Sequence, residues 1–258
     1  MSLCILTNTS AIFSPASASS GRLIRVMPIG MGVEKGTSLP GPEEFQDVFK
    51  DMEREYKSIL VLTASEHIIP LTNTALKAAQ SHGGTSKISI LDTQQLGPGL
   101  GLLAQIAARK AAAGAGLAEV EEHLRSVIPY LFTIIFPEKL PVFEHGNLLP
   151  SGNDPANLPI FSLEEGQLSV YNKVRTQRHL LEIMQEFLGE FENPQHLAYF
   201  HGKNISLHAR PLREESSGLF PGIHFHEIEL NQTLTTLFGD HTVGLTVLEK
   251  PGEGNLLT

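Results

Sequence analysis

The chain has 258 residues, of which 41% are hydrophobic and 18% charged, a balance that fits a folded globular protein and excludes a disordered one. A net charge of −9 without any polybasic run excludes phosphate-driven nucleic-acid binding and stable docking on an anionic membrane. The single cysteine, Cys4, can form no intrachain disulfide and is too few for a thiolate zinc site, so the expected compartment is the cytoplasm.

The first thirteen residues lack the basic start of a signal peptide, and no apolar run approaches the ~20 residues of a membrane span. Leu3 to Thr7 reads as a first strand ending in the polar turn Asn8-Thr9-Ser10, and Leu23 to Ile29 as a second. Pro42 to Glu55 reads as a helix: proline suits the first helical position, Glu43 and Glu44 favour the positive end of the dipole, and Phe45, Val48, Phe49 and Met52 recur at helical spacing. Ser58 to Thr63 is an almost unbroken apolar run, the pattern of a strand covered on both faces. A helix over Leu71 to Gln80, a strand over Lys87 to Leu91, helices over Gly99 to Gly114 and Leu117 to Ser126, and a strand over Tyr130 to Phe136 follow. Strands alternating with helices predict a doubly covered parallel sheet.

Prolines and glycines then punctuate the chain from Pro137 to Pro159. Beyond them, Ile160 to Leu163 and Gln167 to Asn172 flank Glu164-Glu165-Gly166 as a hairpin, Thr176 to Phe191 reads as a helix, and strands are expected at Leu197 to Phe200, Ile223 to Leu230 and Val243 to Glu249. The expected fold is α/β and two-lobed: a parallel-sheet lobe over residues 1–137, a crossover over 138–159, and a smaller α/β lobe over 160–258.

Five stretches, in order, resemble the DegV family. Ile5-Leu6-Thr7-Asn8-Thr9-Ser10-Ala11 is similar to its opening I-V-T-D-S-T-A, and Thr37-Ser38-Leu39-Pro40-Gly41-Pro42 with Phe45 to its T-S-Q-P-S-P-x-x-F. Ile90-Leu91-Asp92-Thr93 with Gly99-Leu100-Gly101 resembles its V-I-D-S segment and Gly-x-Gly-led helix. Lys173-Val174-Arg175 resembles its K-V-R, and Gly239 with Val243-Gly244-Leu245 its late H-T-G-P-G-x-x-G. The resemblance implies a non-catalytic carrier of two α/β lobes that holds a fatty acid or related amphiphile, its carboxylate at the junction of the lobes. It also implies a separate fatty-acid kinase subunit as partner, and no cofactor of the carrier's own. Two positions depart from the family: its S-G-T falls on Ile69-Pro70-Leu71 and its His-Thr on Leu237-Phe238. The interval from Pro28 to Thr37 is shorter, and the family's G-G-R-I-S has no counterpart. Apolar side chains at Ile69 and Leu237 suit an acyl tail and weaken the grip on a carboxylate.

The residues themselves allow a site and a simpler reading at each place. Thr37 and Ser38 offer adjacent hydroxyls before a helix N-terminus, or they close the turn. Arg175 can pair with a carboxylate through two donors, or with a surface acid. Asn8, Thr9 and Ser10 stand at the carboxyl end of the first strand, where open α/β sheets bind ligands, or they form an Asx turn on their own backbone. Gly97-Pro98-Gly99-Leu100-Gly101 lacks the Gly-Lys-Ser/Thr of a phosphate loop and reads as a tight turn with a close helix approach. His224 and His226 share one face of a strand, with Glu227, Glu229, Asp240 and His241 near in sequence, and support an alternative reading as a metal-assisted hydrolase. A family member whose pocket has closed is the third alternative.

Overall fold

The computed structural model of the chain describes residues 3–14, 21–32, 36–138, 158–204 and 207–249, with backbone alone at 21, 30–32 and 36–38. It divides into a first unit, Met1–Ile128, and a second, Pro129–Leu257.

The first unit is built on four parallel strands in the order β2-β1-β5-β6: β1 (Leu3–Asn8), β2 (Ile24–Met27), β5 (Ser58–Thr63) and β6 (Lys87–Asp92). A two-stranded ribbon, β3 (Gly30–Gly32) and β4 (Gly36–Ser38), lies between β2 and the first helix in sequence. Every residue of β1 is buried, as its unbroken apolar run requires of a strand with both faces covered. Four helices follow: α1 (Pro42–Met52), α2 (Thr72–Ser81), α3 (Gly97–Ala112) and α4 (Leu117–Val127). The two sheet faces are told apart by their contacts. Thr63 reaches α2, whereas Ser89, of opposite parity across the Thr63–Asp92 pairing, reaches Glu121 of α4. α1 packs on α2 and α3 on α4, which gives the doubly covered sheet.

Local chemistry explains the helix ends. α1 begins at Pro42, and the Glu44 carboxylate reaches back to accept the N-cap Gly41 N–H, half of a capping box, since glycine has no side chain to return the bond. Its buried stripe is Phe45, Phe49 and Met52. α3 is buried from Gly97 to Ala108, and its small residues permit close approach. Gly101 passes so near Ile12 that a Cβ there would stand 1.8 Å from the Ile12 carbonyl oxygen. The glycine run is therefore a packing device.

The second unit is a six-stranded sheet in the order β11-β10-β12-β7-β8-β9. Its strands are β7 (Leu131–Phe136), β8 (Leu158–Glu164), β9 (Gln167–Val174), β10 (Pro194–His201), β11 (Phe225–Glu229) and β12 (Val243–Glu249). β10 and β11 run parallel and the other pairs antiparallel. The expected division at 137 is corrected here. β7 pairs with β12 and β8, so it belongs to the second sheet, the chain changes unit at Ile128–Pro129, and the two units are of nearly equal length. The Pro- and Gly-rich stretch joins two strands of one sheet; residues 139–157 lie outside the described part. A continuous apolar run such as Tyr130 to Phe136 carries no sign of which sheet it enters, because burial on both faces looks the same in either.

The hairpin of β8 and β9 turns through Glu165 and Gly166, both at positive φ (49° and 82°), the geometry that matches strand twist in a two-residue turn. α5 (Gln177–Gly189) is capped by Thr176, whose hydroxyl accepts the His179 N–H at 3.1 Å. Leu180, Ile183, Met184, Phe187 and Leu188 of α5 form one core with Ile134, Ile160, Tyr199, Leu245 and Val247 of the sheet. Each such buried side chain contributes about 1.5–3 kcal/mol. Two helices had no counterpart in the sequence reading: α6 (Ala209–Leu219) and α7 (Gln232–Phe238).

Candidate functional site

In the first unit β1 is followed by β2 on one side and leads through β5 to β6 on the other, so the strand order reverses between β1 and β5. At such a switch point the loops beyond the strand ends diverge and leave a crevice. The residues gathered there are Asn8 to Ser10 after β1, Ser65 to Leu71 after β5, and Thr93 to Leu96 after β6.

Most of these polar groups bind one another. Asn8 Oδ1 accepts both the Ser10 N–H (2.9 Å) and the Ser10 hydroxyl (2.5 Å), an Asx turn. The Thr9 hydroxyl oxygen accepts the Ile29 N–H at 2.9 Å, while the Thr9 N–H donates to Met27, which ties the loop to the end of β2. Ser10 carbonyl accepts the Gly97 N–H and Gly97 carbonyl the Ile12 N–H, both at 2.9 Å, which fastens the start of α3 to the same turn. The Thr93 hydroxyl donates to the Thr63 carbonyl at 2.7 Å, and the Thr63 and Thr72 hydroxyls meet at 2.8 Å. Asn8, Ser10, Thr63, Ser65, Thr93 and Gln95 are all buried. These groups are oriented, dry and bonded to backbone or to one another, which is an architecture for shape. The Thr7 hydroxyl, buried on β1, has no hydrogen-bond partner among the described residues.

Carboxylates mark this edge as well. Glu66 accepts the Thr72 N–H and the Asn73 side-chain amide, both at 2.6 Å. Leu71, at the N-cap of α2, offers no side-chain acceptor, so Glu66 fills that role. Asp92 accepts the Glu66 N–H at 3.3 Å and the Gln94 N–H at 2.9 Å. Burial, and secondarily Glu66, hold the Asp92 carboxyl above its ordinary range despite these donors. Neither acid was singled out by sequence; the signal available was an acid just ahead of a helix whose cap position is apolar.

The expected contact residues are distributed as follows. Asn8, Thr9 and Ser10 are brought together as described, and Ile69 lies in the loop beside them, fully buried. Thr37 and Ser38 are in β4, paired with Met31 and Gly30. Arg175 and Leu237 are in the second unit: Arg175 is exposed between β9 and the Thr176 cap, and Leu237 is buried in α7. There Glu138 accepts the His241 N–H at 3.1 Å beside Gly239 and lies 3.3 Å from His241 Nδ1. The backbone bond from His241 holds the Glu138 carboxyl below its ordinary range.

The histidines pack ring on ring. His196 and His226 stack with centroids 4.7 Å apart, and His224 meets His226 edge-on at 4.3 Å. Glu227 points to the other face of β11 and pairs with Arg213 at 2.5 Å. Among the described residues no group of three or more His, Cys, Asp or Glu is arranged to hold a metal ion. Cys4 is buried, donates to the Leu23 carbonyl at 3.1 Å, and is pushed up to about 11 by burial, far from a reactive thiolate.

Known proteins agree with this architecture. The model of the family described as "Uncharacterised protein, DegV family" matches residues 31–153. A DegV domain-containing protein of Staphylococcus aureus, SACOL1460, is 24% identical over 229 residues, 83% of this chain and 78% of the relative. Another, TTE1491 of Caldanaerobacter subterraneus, is 24% identical over 157 residues, 59% of this chain, and the match spans only 56% of that relative's length. The crystal structure of the fatty acid binding DegV family protein SAG1342 from Streptococcus agalactiae superposes with a TM-score of 0.79 at 21% identity, covering 97% of this chain and 100% of that one. With the fold, the order of its motifs and the matched model in agreement, the chain is similar to the DegV family, in sequence over residues 31–153 and in fold over 97% of its length.

Proposed function

We propose that this protein is a non-catalytic carrier that holds the alkyl chain of a long-chain fatty acid or similar amphiphile in the cytoplasm. The reading rests on the similarity to the DegV family, and on the superposition, over essentially the whole of both chains, with a protein described as fatty acid binding. The site chemistry supports it. At the switch point the hydroxyls and amides are bonded to backbone or to one another, and Ile69 and Leu71 bring wholly buried apolar side chains to the same loop. No helix among the described residues is long and apolar enough to cross a membrane. A chain of buried methylenes at about 0.8 kcal/mol each provides affinity without any head-group contact. The separate fatty-acid kinase subunit implied by the family resemblance would act on a free carboxylate presented by this carrier.

Native mass spectrometry of the purified protein tests the reading. The expected result is a bound mass of a few hundred daltons, on the order of a ligand-sized pocket, that organic solvent releases and added long-chain amphiphile restores. A protein that carries no such mass, and whose delipidated form fails to displace an alkyl fluorophore with any long-chain amphiphile, overturns it.

A further inference from the structure

We infer that the packed imidazoles of His196, His226 and His224 form an acid-sensitive latch on the edge strand β11, closed while the rings are neutral and opened when they take up protons. The inference stands apart from the carrier reading and concerns the second unit alone.

β11 ends the six-stranded sheet and is joined to one strand only, β10, from the Leu197–Phe225 pair to the His201–Glu229 pair. Across that join runs a continuous column of rings. His196 of β10 and His226 of β11 stack with centroids 4.7 Å apart and planes 23° apart, and His224 meets His226 at 4.3 Å and 83°. The column passes from the interior to the surface: His196 and His226 are buried and His224 is exposed. Neutral rings attract one another by dispersion and keep water from the join. A proton on His226 places a charge in a dry position against a second imidazole, and a second proton on His224 sets two like charges a ring's width apart. Burial, and then His224, already hold the His226 imidazole below its ordinary range. With the strand open all three rings are hydrated and accept protons freely, so a fall in pH draws the pair toward the open state.

The surrounding charges favour a local, reversible opening. The titratable groups facing His226 are His224 on its own strand and His196 on β10; β12, next beyond β10, contributes Thr246 and Leu248 to this face. Glu227 and Glu229 alternate to the opposite face. There Glu227 pairs with Arg213 of α6 and lies 4.0 Å from His201 Nε2, and the Arg213 guanidinium covers the Phe225 ring at 5.4 Å. A proton on His201 strengthens the contact with Glu227. Acid therefore parts the histidine face while the glutamate face keeps β11 tethered to β10 and α6.

The test is hydrogen exchange of the full chain at about pH 7.5 and 5.5, each rate divided by the intrinsic rate at that pH. Protection of 225–229, and of 194–201 across the join, should fall about tenfold in acid and return on neutralisation, while 58–63 and 131–136 change less than about twofold. His226→Asn should remove the fall. His224→Asn alters an exposed side chain and leaves the buried packing in place; it should reduce the fall to about threefold. Glu227→Gln, which cuts the tether, should deepen it. Protection of 225–229 that is unchanged in acid overturns the inference. A fall of equal size in all four segments reports general acid unfolding and overturns it too. A local fall that persists undiminished in His224→Asn removes the column as its cause, and that variant decides the matter if His226→Asn does not fold.

Discussion

The two units place their buried polar residues differently. In the first, Asn8, Ser10, Thr63, Ser65, Thr93 and Gln95 collect at one edge of the sheet, because parallel strands all end on the same side and each strand's exit loop opens there. In the second, strands run both ways and the buried polar groups are scattered: Thr133 meets Thr246 in mid-sheet at 3.0 Å, His196 stacks on His226, and Ser162 reaches Glu164 at 2.5 Å. A parallel sheet thus concentrates polar loops into a candidate site by topology alone, whereas a mixed sheet must build one from individual side chains.

The largest expected effect comes from overfilling each unit in turn. Gly101→Leu would drive a side chain into the Ile12 backbone beside the polar edge, and Gly244→Leu would drive one into the Phe200 ring (2.2 Å) and the Ile134 carbonyl (2.4 Å) in mid-sheet. Each should cost about 3 kcal/mol or more in urea unfolding. Hydrogen exchange should then rise in 8–14 and 97–108 for the first and in 131–136 and 194–201 for the second; exchange that rises everywhere in both would erase the distinction. A smaller effect separates the two threonine pairs. Thr63 touches both the Thr72 hydroxyl and, at 3.3 Å, the Leu91 carbonyl, so Thr63→Val should cost about 2 kcal/mol against about 1 kcal/mol for Thr246→Val. Equal losses would show that the edge network is no more cooperative than the isolated pair.

The smallest effect is a pH slope confined to the second unit. Burial, and then the neighbouring His224, hold the His226 imidazole below its ordinary 6.5. The unfolded chain then takes up a proton that the folded one excludes, so stability is lost as pH falls below 6.5. Asp92 is displaced the other way. Its stabilising contribution is present below its ordinary 3.8 and is lost as pH rises through its raised folded value, so it favours the first unit only in acid. Acidification from about pH 7.5 to 5.5 should therefore speed exchange in 194–201 and 225–229 and leave 58–63 unchanged, and His226→Asn should abolish that response.

These contrasts also explain what could be read from the sequence. β5 and β12 lie at the residues expected, because short, largely apolar runs of six and seven residues between polar boundaries admit little else. Their allegiance was not legible, as β7 shows: an apolar run specifies burial and leaves its neighbours unspecified. α6 escaped because Pro211 stands in its first turn and its buried face is narrow, Ala209, Leu212 and Ser216. α7 is only seven residues, although its Asn231 cap and Gly239 exit at φ 97° were visible as signals. At the candidate site the Asn8-Thr9-Ser10 turn was found by its position after a strand. Glu66 and Glu138 were not, since their importance lies in N–H groups that only the folded backbone brings to them.

The place of β12 has a bearing on how the protein is made. It lies between β10 and β7, yet β7 to β11 all precede it in the chain. As the polypeptide leaves the ribosome, β7-β8-β9 and β10-β11 can form only as separate ribbons, each with an unpaired edge facing the gap. The first unit has all its strands by residue 92 and can close early. The second remains two halves until Val243–Glu249 emerges to join them, which makes its final strand the keystone of synthesis and leaves those two edges open to wrong partners in the interval.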